Sequence, residues 1–114
     1  MKIIIEEIPF SPNGPKGLLR MHWAKRAKYN KHWQLLVRSQ IPYIADKPNV
    51  RKKVSISQMR KRLLDPDNLV ASVKPILDAI VKCNLVYDDS PEWIELECMQ
   101  QQGKPQITII EIRG

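Results

Sequence analysis

The sequence DPDNLVASVKPILDAIVKCNLVYDD, residues 65–89, combines the pattern of an amphipathic helix with acidic residues at both ends. Its apolar residues have the spacing of one buried helix face and fall at Leu69, Val73, Ile76, Leu77 and Ile80. Pro66 suits the first turn of a helix, where its missing N–H is not needed. The pattern predicts one helix from about Pro66 to Cys83, between a preceding strand and a turn at Asp88-Asp89.

Two carboxylates, those of Asp65 and Asp67, flank the proline at the start of this helix. An Asp before a helix is often only an N-cap, because its carboxylate accepts hydrogen bonds from free N–H groups of the first turn. An Asp-Asp pair in a turn is often only a solvated loop. Capping accounts for one carboxylate but leaves the second one and the pair Asp88-Asp89 unexplained. Lys74 follows Asp67 by about two helical turns, so it is predicted to lie near the carboxylates on almost the same side.

Acidic side chains next to a lysine suit magnesium-dependent phosphodiester chemistry. Mg²⁺ prefers oxygen ligands and usually retains several waters, so a few carboxylates and a substrate phosphate can complete its shell. The metal can activate a water, and an ammonium such as that of Lys74 can stabilise charge on the phosphate or on the leaving oxygen. A calcium-binding EF-hand loop beginning at Asp65 is the competing interpretation. It is disfavoured because no Gly stands at its sixth position and Pro75 interrupts the rest.

A longer motif adds three cations before the acids and reads Arg60-Lys61-Arg62-Leu63-Leu64-Asp65-Pro66-Asp67-Asn68-Leu69, followed by Lys74, Leu77-Asp78-Ala79 and Asp88-Asp89. It resembles the signature of the RusA family of Holliday-junction resolvases, strongly from Arg60 to Asp89 and more weakly around Pro9 to Asn13. The resemblance implies a small, dimeric endodeoxyribonuclease of bacterial or phage type that uses Mg²⁺, with Mn²⁺ as a substitute.

The same resemblance implies that Asp65, Asp67 and Asp89 hold the metal and that Lys74 acts with them in catalysis. The chain departs from the family pattern at the lysine, which stands about one turn further along, as if three residues had been added near Val70-Ala71-Ser72. Three residues rotate a helix by about 300°. The departure therefore predicts that Lys74 is shifted by roughly 60° around the helix axis and by one turn along it, relative to the family position.

Positive charge is concentrated in the first half of the chain. The net charge is +7, with 15 basic and 3 acidic residues up to Arg62 and 4 basic and 9 acidic residues after it. Such a surface indicates a polyanionic partner. No apolar run approaches the roughly 18 residues of a membrane span, and no signal-peptide pattern is present, so we expect DNA rather than a membrane. Candidate DNA contacts are Lys25, Arg26, Lys28, Arg60, Lys61 and Arg62.

Both groups of cations have a simpler interpretation. Those in the predicted helix from Trp23 to Gln40 can form a solvated outer face, although His22 and Trp23 beside them could stack on unpaired bases. The triplet from Arg60 to Arg62 can protect an edge strand by its charge. It can also draw DNA phosphates toward the acids, which is the interpretation favoured here.

The two cysteines, Cys83 and Cys98, form no Cys-x-x-Cys pair, and His22 and His32 have no cysteine cluster beside them. We therefore expect reduced cysteines, no zinc site and a cytoplasmic protein. A chain of 114 residues is predicted to form one domain, residues 1–114.

The remaining pattern completes the predicted fold. A strand is expected at Lys2 to Phe10, a loop at Ser11 to Lys16, a strand around Val54 to Met59, and a terminal hairpin that joins Trp93 to Met99 with Ile107 to Ile112. With the two helices this gives the order β-α-β-α-β-β. The predicted class is α/β (α+β), a mixed sheet with two helices packed on it.

The favoured function is a magnesium-dependent, structure-specific endodeoxyribonuclease that resolves four-way DNA junctions by paired nicks. Two alternatives remain open. One is a non-catalytic nucleic-acid-binding module whose acids only cap a helix and balance charge. The other is a nuclease that acts on other branched or flapped DNA.

Overall fold

The computed structural model describes residues 1–12 and 21–114. The elements in chain order are β1 (Lys2–Ile5), α1 (Trp23–Arg38), β2 (Lys52–Arg60), α2 (Pro66–Ser72), α3 (Lys74–Lys82), β3 (Ile94–Gln102) and β4 (Ile107–Arg113). The predicted class is confirmed, because the described chain is α+β with one mixed sheet. Residues 13–16 of the predicted loop Ser11 to Lys16 lie outside the described residues, as does the end of the segment Pro9 to Asn13.

The strand order in the sheet is β1-β4-β2-β3. β4 pairs antiparallel with β1 and with β2, whereas β3 pairs parallel with β2. The predicted terminal hairpin is therefore wrong. Residues 103–106 carry the chain past the end of β2 instead of folding β4 back on β3, and Gly103 N–H donates to Arg60 O at 3.0 Å on the way. A Cβ at Gly103 would lie 3.2 Å from Met59 Sδ, so this crossing favours glycine.

The helices cover one face of the sheet, and the buried helix face predicted for residues 69–80 is confirmed. In α2 and α3 the buried residues include Leu69, Val73, Ile76, Leu77 and Ile80, and in α1 they are Trp33 and Val37. Except for Leu69, these side chains form a single core with the inward-facing strand residues Val54, Ile56 and Ile110. Burial of an Ile or Val side chain contributes about 1.5–3 kcal/mol, so the packed face stabilises these short helices.

The helix predicted from Pro66 to Cys83 is interrupted at Val73, which has φ −88° and ψ 0°. Pro75 explains the break, because it has no N–H to donate to the turn before it and its ring crowds that turn. A new helix starts at Lys74, with Pro75 in its first turn. The prediction of one continuous helix missed this second proline signal.

β1 ends at Ile5, five residues before the predicted strand end. Ile5 pairs with Thr108, near the beginning of β4, so the ladder has almost no further partner. Thr108 Oγ1 then donates to Glu7 O at 2.6 Å, and Pro9 lacks an N–H with which to resume a ladder.

Cys83 and Cys98 are both free thiols, and burial raises the pKa of each. Within the two described ranges, no helix has the length and apolar character needed to cross a membrane.

Candidate active site

Asp65 occupies the N-cap position of α2, as the sequence suggested, but its side chain makes no capping hydrogen bond. Pro66 at the first helical position has no N–H, and the backbone carbonyl of Asp65 accepts the N–H of Leu69 at 2.9 Å. Asp67 follows in the first turn, and both aspartates are exposed. The simple capping interpretation therefore does not account for the carboxylate of Asp65.

Lys74 lies between two carboxylates at the start of α3. Its Nζ is 2.7 Å from Asp89 Oδ2 and 3.0 Å from Asp78 Oδ1. Hydrogen bonds to Asp89 and then to Asp78 raise the pKa of Lys74 above its ordinary value, although partial burial acts in the opposite direction. The ammonium is thus charged at neutral pH. Its observed contacts are to Asp89 and Asp78, whereas the sequence placed it nearest Asp67.

The break at Val73 changes the effect that the three added residues near Val70-Ala71-Ser72 have on the position of Lys74. The rotation expected from three extra residues assumed one continuous helix, but Lys74 is the first residue of α3. The new helix brings its ammonium to Asp89, which lies 15 residues further along the chain. The sequence identified both residues of this contact as parts of one motif, but it did not predict that they touch.

The turn that carries Asp88 and Asp89 is held on both sides. After α3, Asn84 adopts φ 57°, and Leu85 N–H donates to Ile80 O at 2.9 Å, which is a Schellman-type helix end. The acids are also flanked by two aromatic residues, Tyr87 before them and Trp93 after them, whose rings stack with centroids 4.0 Å apart.

Two cations fasten the same turn to the preceding loop. Lys47 Nζ donates to Tyr87 O at 3.1 Å, and Arg51 Nε donates to Pro91 O at 3.2 Å. Asp89 is therefore presented from a braced turn, with its side chain 25% exposed.

A groove of about 390 Å³ between α1 and α3 contains this acidic cluster. Lys31 lines it from α1, Lys74, Asp78 and Lys82 line it from α3, and the turn contributes Asp88 and Asp89. The sequence prediction did not assign Lys31, Asp78 or Lys82 to the site. The spacing of four residues from Lys74 to Asp78 and from Asp78 to Lys82 places these three residues on one face of α3, but it gives no information about Lys31, which lies on α1.

The three predicted metal ligands are not assembled into one cluster. Among residues 1–12 and 21–114, no three His, Cys, Asp or Glu side chains lie close enough together to hold a metal. Carboxylate oxygens nevertheless suit Mg²⁺, which commonly binds through one or two carboxylates together with waters and substrate phosphate. The exposed Asp65 and Asp67, or Asp89 at the groove, fit that mode of binding.

The predicted DNA contacts differ in their availability. On α1, Lys25, Arg26 and Lys28 are exposed, and Trp23 at the start of that helix is 75% exposed. Lys61 and Arg62 are exposed as well. These side chains can reach a phosphate backbone without rearrangement of the core.

Arg60 does not share that exposure, since it is only 7% exposed. It donates to Gln58 Oε1 at 2.6 Å and to Pro9 O at 3.0 Å, and burial lowers its pKa. The prediction that Arg60 binds DNA is not supported by this geometry, because inward alternation of β2 directs the side chain under the N-terminal segment.

Comparison with models of known protein families gives no match, and comparison with curated proteins gives no similar sequence.

Proposed function

We propose that this protein is a magnesium-dependent, structure-specific endodeoxyribonuclease of the RusA type that resolves Holliday junctions. The observation that carries the proposal is the contact of Lys74 with Asp89, in a groove whose other wall is a helix without acidic residues. Cations that attract phosphate and acids that can hold a hard cation thereby lie side by side. The choice of a Holliday junction as the proposed substrate is based on the resemblance of residues 60–89 to the RusA motif.

Each group in the proposed reaction has a defined task. Asp65 and Asp67 on α2, or Asp89 at the groove, would hold Mg²⁺, or Mn²⁺ in its place, together with waters and a substrate phosphate, and the ion would supply an activated water and neutralise charge on the scissile phosphate. Lys74 is already protonated and can stabilise the pentacovalent phosphate or the departing oxygen once its contact with Asp89 loosens. The exposed cations Lys25, Arg26, Lys28, Lys61 and Arg62 would hold the flanking phosphates.

The active unit in this proposal is a homodimer. A four-way junction yields ligatable duplexes only when two symmetry-related strands are cut. The described part of one chain contains a single groove with Lys74 and Asp89. Two chains related by a two-fold axis would match the symmetry of the substrate.

A labelled four-way junction tests the proposal directly. Paired, symmetrical nicks with Mg²⁺ and none with a chelator are expected, with slower cutting of a flap and of linear duplex. Faster cutting of the flap would favour a nuclease for other branched DNA. Tight junction binding without cleavage in either Mg²⁺ or Mn²⁺ would instead identify a non-catalytic binding module.

The binding-module alternative has one observation in its favour. The carboxylate of Asp89 is already paired with Lys74, so within the described residues its charge is balanced without a metal. In that case the cluster would only stabilise the start of α3.

Replacement of Lys74 by Ala separates these roles. Because the ammonium would act on charge that develops in the transition state, we expect the cleavage rate to fall about 10²-fold while junction affinity changes less than threefold. Single-turnover cleavage and filter binding measure the two quantities. Equal losses of rate and affinity would make Lys74 a phosphate clamp. Lys104→Ala, which lies outside the groove in the exposed connection before β4, is the control.

Junction affinity should fall steeply with salt. Each phosphate contact releases counterions, so the log–log slope is expected to decrease by about one when Lys25 or Lys28 is replaced by Ala. Lys104→Ala, in the exposed connection before β4, should leave the slope unchanged. An affinity independent of salt, or an equal response to all three substitutions, would exclude α1 as the DNA-binding helix.

A further inference from the structure

Trp23, the first residue of α1, is a large apolar side chain that the fold leaves in water. It is 75% exposed, the highest value of any large apolar side chain in the two described ranges. The ring of His22 lies beside it, with centroids 5.5 Å apart and planes tilted by 40°. Single exposed apolar residues are common on protein surfaces. The position of Trp23 relative to the candidate site therefore decides whether its exposure has a role.

Helical spacing places Trp23 on the wall of the groove between α1 and α3. The residues of α1 that line this groove are Ala27, Asn30, Lys31 and Gln34. They follow Trp23 by four, seven, eight and eleven residues, which is the repeat of one helix face. Trp23 therefore continues the same wall by one turn, about 6 Å beyond Ala27.

The relative direction of the two helices shows which end of the groove Trp23 extends. Burial raises the pKa of the Cys83 thiol, and the nearby charge of Arg38 acts in the opposite direction. Arg38 ends α1 and Cys83 follows the end of α3, so the carboxyl ends of the two helices adjoin. The helices therefore run in the same direction. Trp23 lies toward the end of the groove at which Lys74 begins α3.

The first turns of α1 project beyond the core. Arg26 precedes the buried residues Trp33 and Val37 by seven and eleven residues, so the three share one helix face. Arg26 is nevertheless exposed. Trp23 lies almost one turn further from the core, where a ligand can reach its ring without rearrangement of the fold.

The charge around Trp23 suits a nucleic-acid strand. α1 contains five Lys or Arg residues and no Asp or Glu. Lys25 and Lys28 are exposed within two turns of Trp23, and Lys31 is exposed on the groove wall itself. Single-strand binding combines cations that follow the backbone with aromatic rings that stack on bases. Bases inside a duplex have no free face, so this surface favours an unpaired base.

We propose that Trp23 stacks on an unpaired base of a DNA strand whose backbone follows α1 into the groove. Lys31 holds a phosphate of the same strand, about 12 Å further along the helix. This inference deepens the proposed function, because bases at a branch point are unpaired more easily than those inside a duplex. It rests on that function only for the source of the base, and Trp23 is a positioning residue in it.

The test uses single-stranded DNA without divalent metal, so that no cleavage occurs. The probe is a fluorescein-labelled oligothymidylate of about 12 nucleotides, which is within the usual range of single-strand sites. A linear duplex of the same length is the comparison, and anisotropy measures both affinities. Trp23→Ala should bind the single strand about tenfold more weakly, which is the order of the contribution of one stacked base. Its affinity for the duplex should change less than twofold.

Two further variants separate stacking from other effects. Trp23→Phe keeps an aromatic ring and should bind the single strand within threefold of the wild type. Leu35→Ala is the matched control, because Leu35 is 59% exposed on the same helix but does not line the groove. It should bind both probes like the wild type. Trp23→Ala should also leave the slope of log affinity against log salt unchanged, because it removes no charge.

Tryptophan fluorescence locates the contact. Trp33 is 1% exposed, and the ring of Trp93 stacks on that of Tyr87. Quenching by unlabelled oligothymidylate should therefore come from Trp23 and should be lost in Trp23→Phe.

Four results would overturn the stacking role: no binding of the single strand by the wild type, undiminished binding by Trp23→Ala, equal losses for single strand and duplex, or full quenching in Trp23→Phe. The proposed function is tested separately by cleavage. The expected stacking in a protein that never cuts a junction would keep the inference and reject the function. Junction cleavage by a protein whose Trp23→Ala variant binds the single strand normally would do the reverse.

Discussion

Asp67→Asn is expected to abolish cleavage of a four-way junction while junction binding stays the same or improves. In the proposed mechanism, the substitution removes the charge of a metal ligand from the exposed first turn of α2 without removing a contact to phosphate. A catalytic metal contributes several kcal/mol of transition-state stabilisation. Its loss therefore corresponds to a rate decrease of about a thousandfold. Single-turnover cleavage in Mg²⁺, with affinity measured in calcium, gives the two values separately.

Asp46→Asn is the matched control, because Asp46 is an exposed aspartate of the loop between α1 and β2 and no role in the site is assigned to it. It should cleave at the wild-type rate. The same loss is expected for Asp65→Asn, whose carboxylate is not used for capping. Full activity of Asp67→Asn would refute the metal-dependent mechanism, whereas parallel losses of rate and affinity would indicate that the substitution damages the fold.

The helix faces were predictable because periodicity reports a local constraint. The positions from Leu69 to Ile80 repeat at helical spacing, and each buried residue of that series lies on the core side. The break at Val73 was also encoded locally, in Pro75, but the apolar period across it continued and concealed it.

Strand pairing was not predictable from the same kind of pattern. Adjacent β-rich segments around Gly103 indicate a hairpin, because most sequential strands are neighbours. Here β4 lies between β1 and β2, and the partner of Ile109 on β1 is Ile4, more than 100 residues away. Such a choice depends on the sum of long-range contacts. No single turn residue records it.

The candidate site likewise contains residues that the sequence identified and contacts between them that it did not predict. The sequence identified Lys74 and Asp89, but their contact depends on the break before α3 and on the braced turn after it. Arg60 shows the opposite case, in which a local pattern misled. The triplet Arg60 to Arg62 reads as one basic patch, yet Arg60 is the last residue of β2 and faces inward, whereas Lys61 and Arg62 follow the end of the strand and are exposed.

Arg60→Ala is expected to destabilise the fold by about 2–4 kcal/mol, which is a large fraction of the stability of a small domain. The substitution leaves two buried acceptors, Gln58 Oε1 and Pro9 O, without their donor, and each such loss costs about 1–3 kcal/mol. The cost of burying the guanidinium, which has no carboxylate within salt-bridge distance among the described residues, offsets part of this. Urea unfolding followed by tryptophan fluorescence measures the difference.

The effect should extend to α2, because Arg60 belongs to a chain of hydrogen bonds. Gln58 Nε2 donates to Ser72 Oγ at 3.2 Å, and Ser72 Oγ donates to Leu69 O at 2.6 Å. Loss of Arg60 frees the amide of Gln58 and so loosens the helix that presents Asp67. Hydrogen exchange should therefore become faster in residues 66–72 of Arg60→Ala than in β4.

Arg62→Ala is the matched control, since Arg62 is exposed and only its backbone carbonyl meets Arg60, at 3.4 Å. Its stability should stay within about 0.5 kcal/mol of the wild type. In a DNA-binding experiment the order of the two effects should be reversed. Arg62→Ala should lower the slope of log affinity against log salt by about one, whereas folded Arg60→Ala should leave it unchanged. If Arg60→Ala were stable and lowered the slope, its guanidinium would belong to the DNA-binding surface, and the buried network would not be its role.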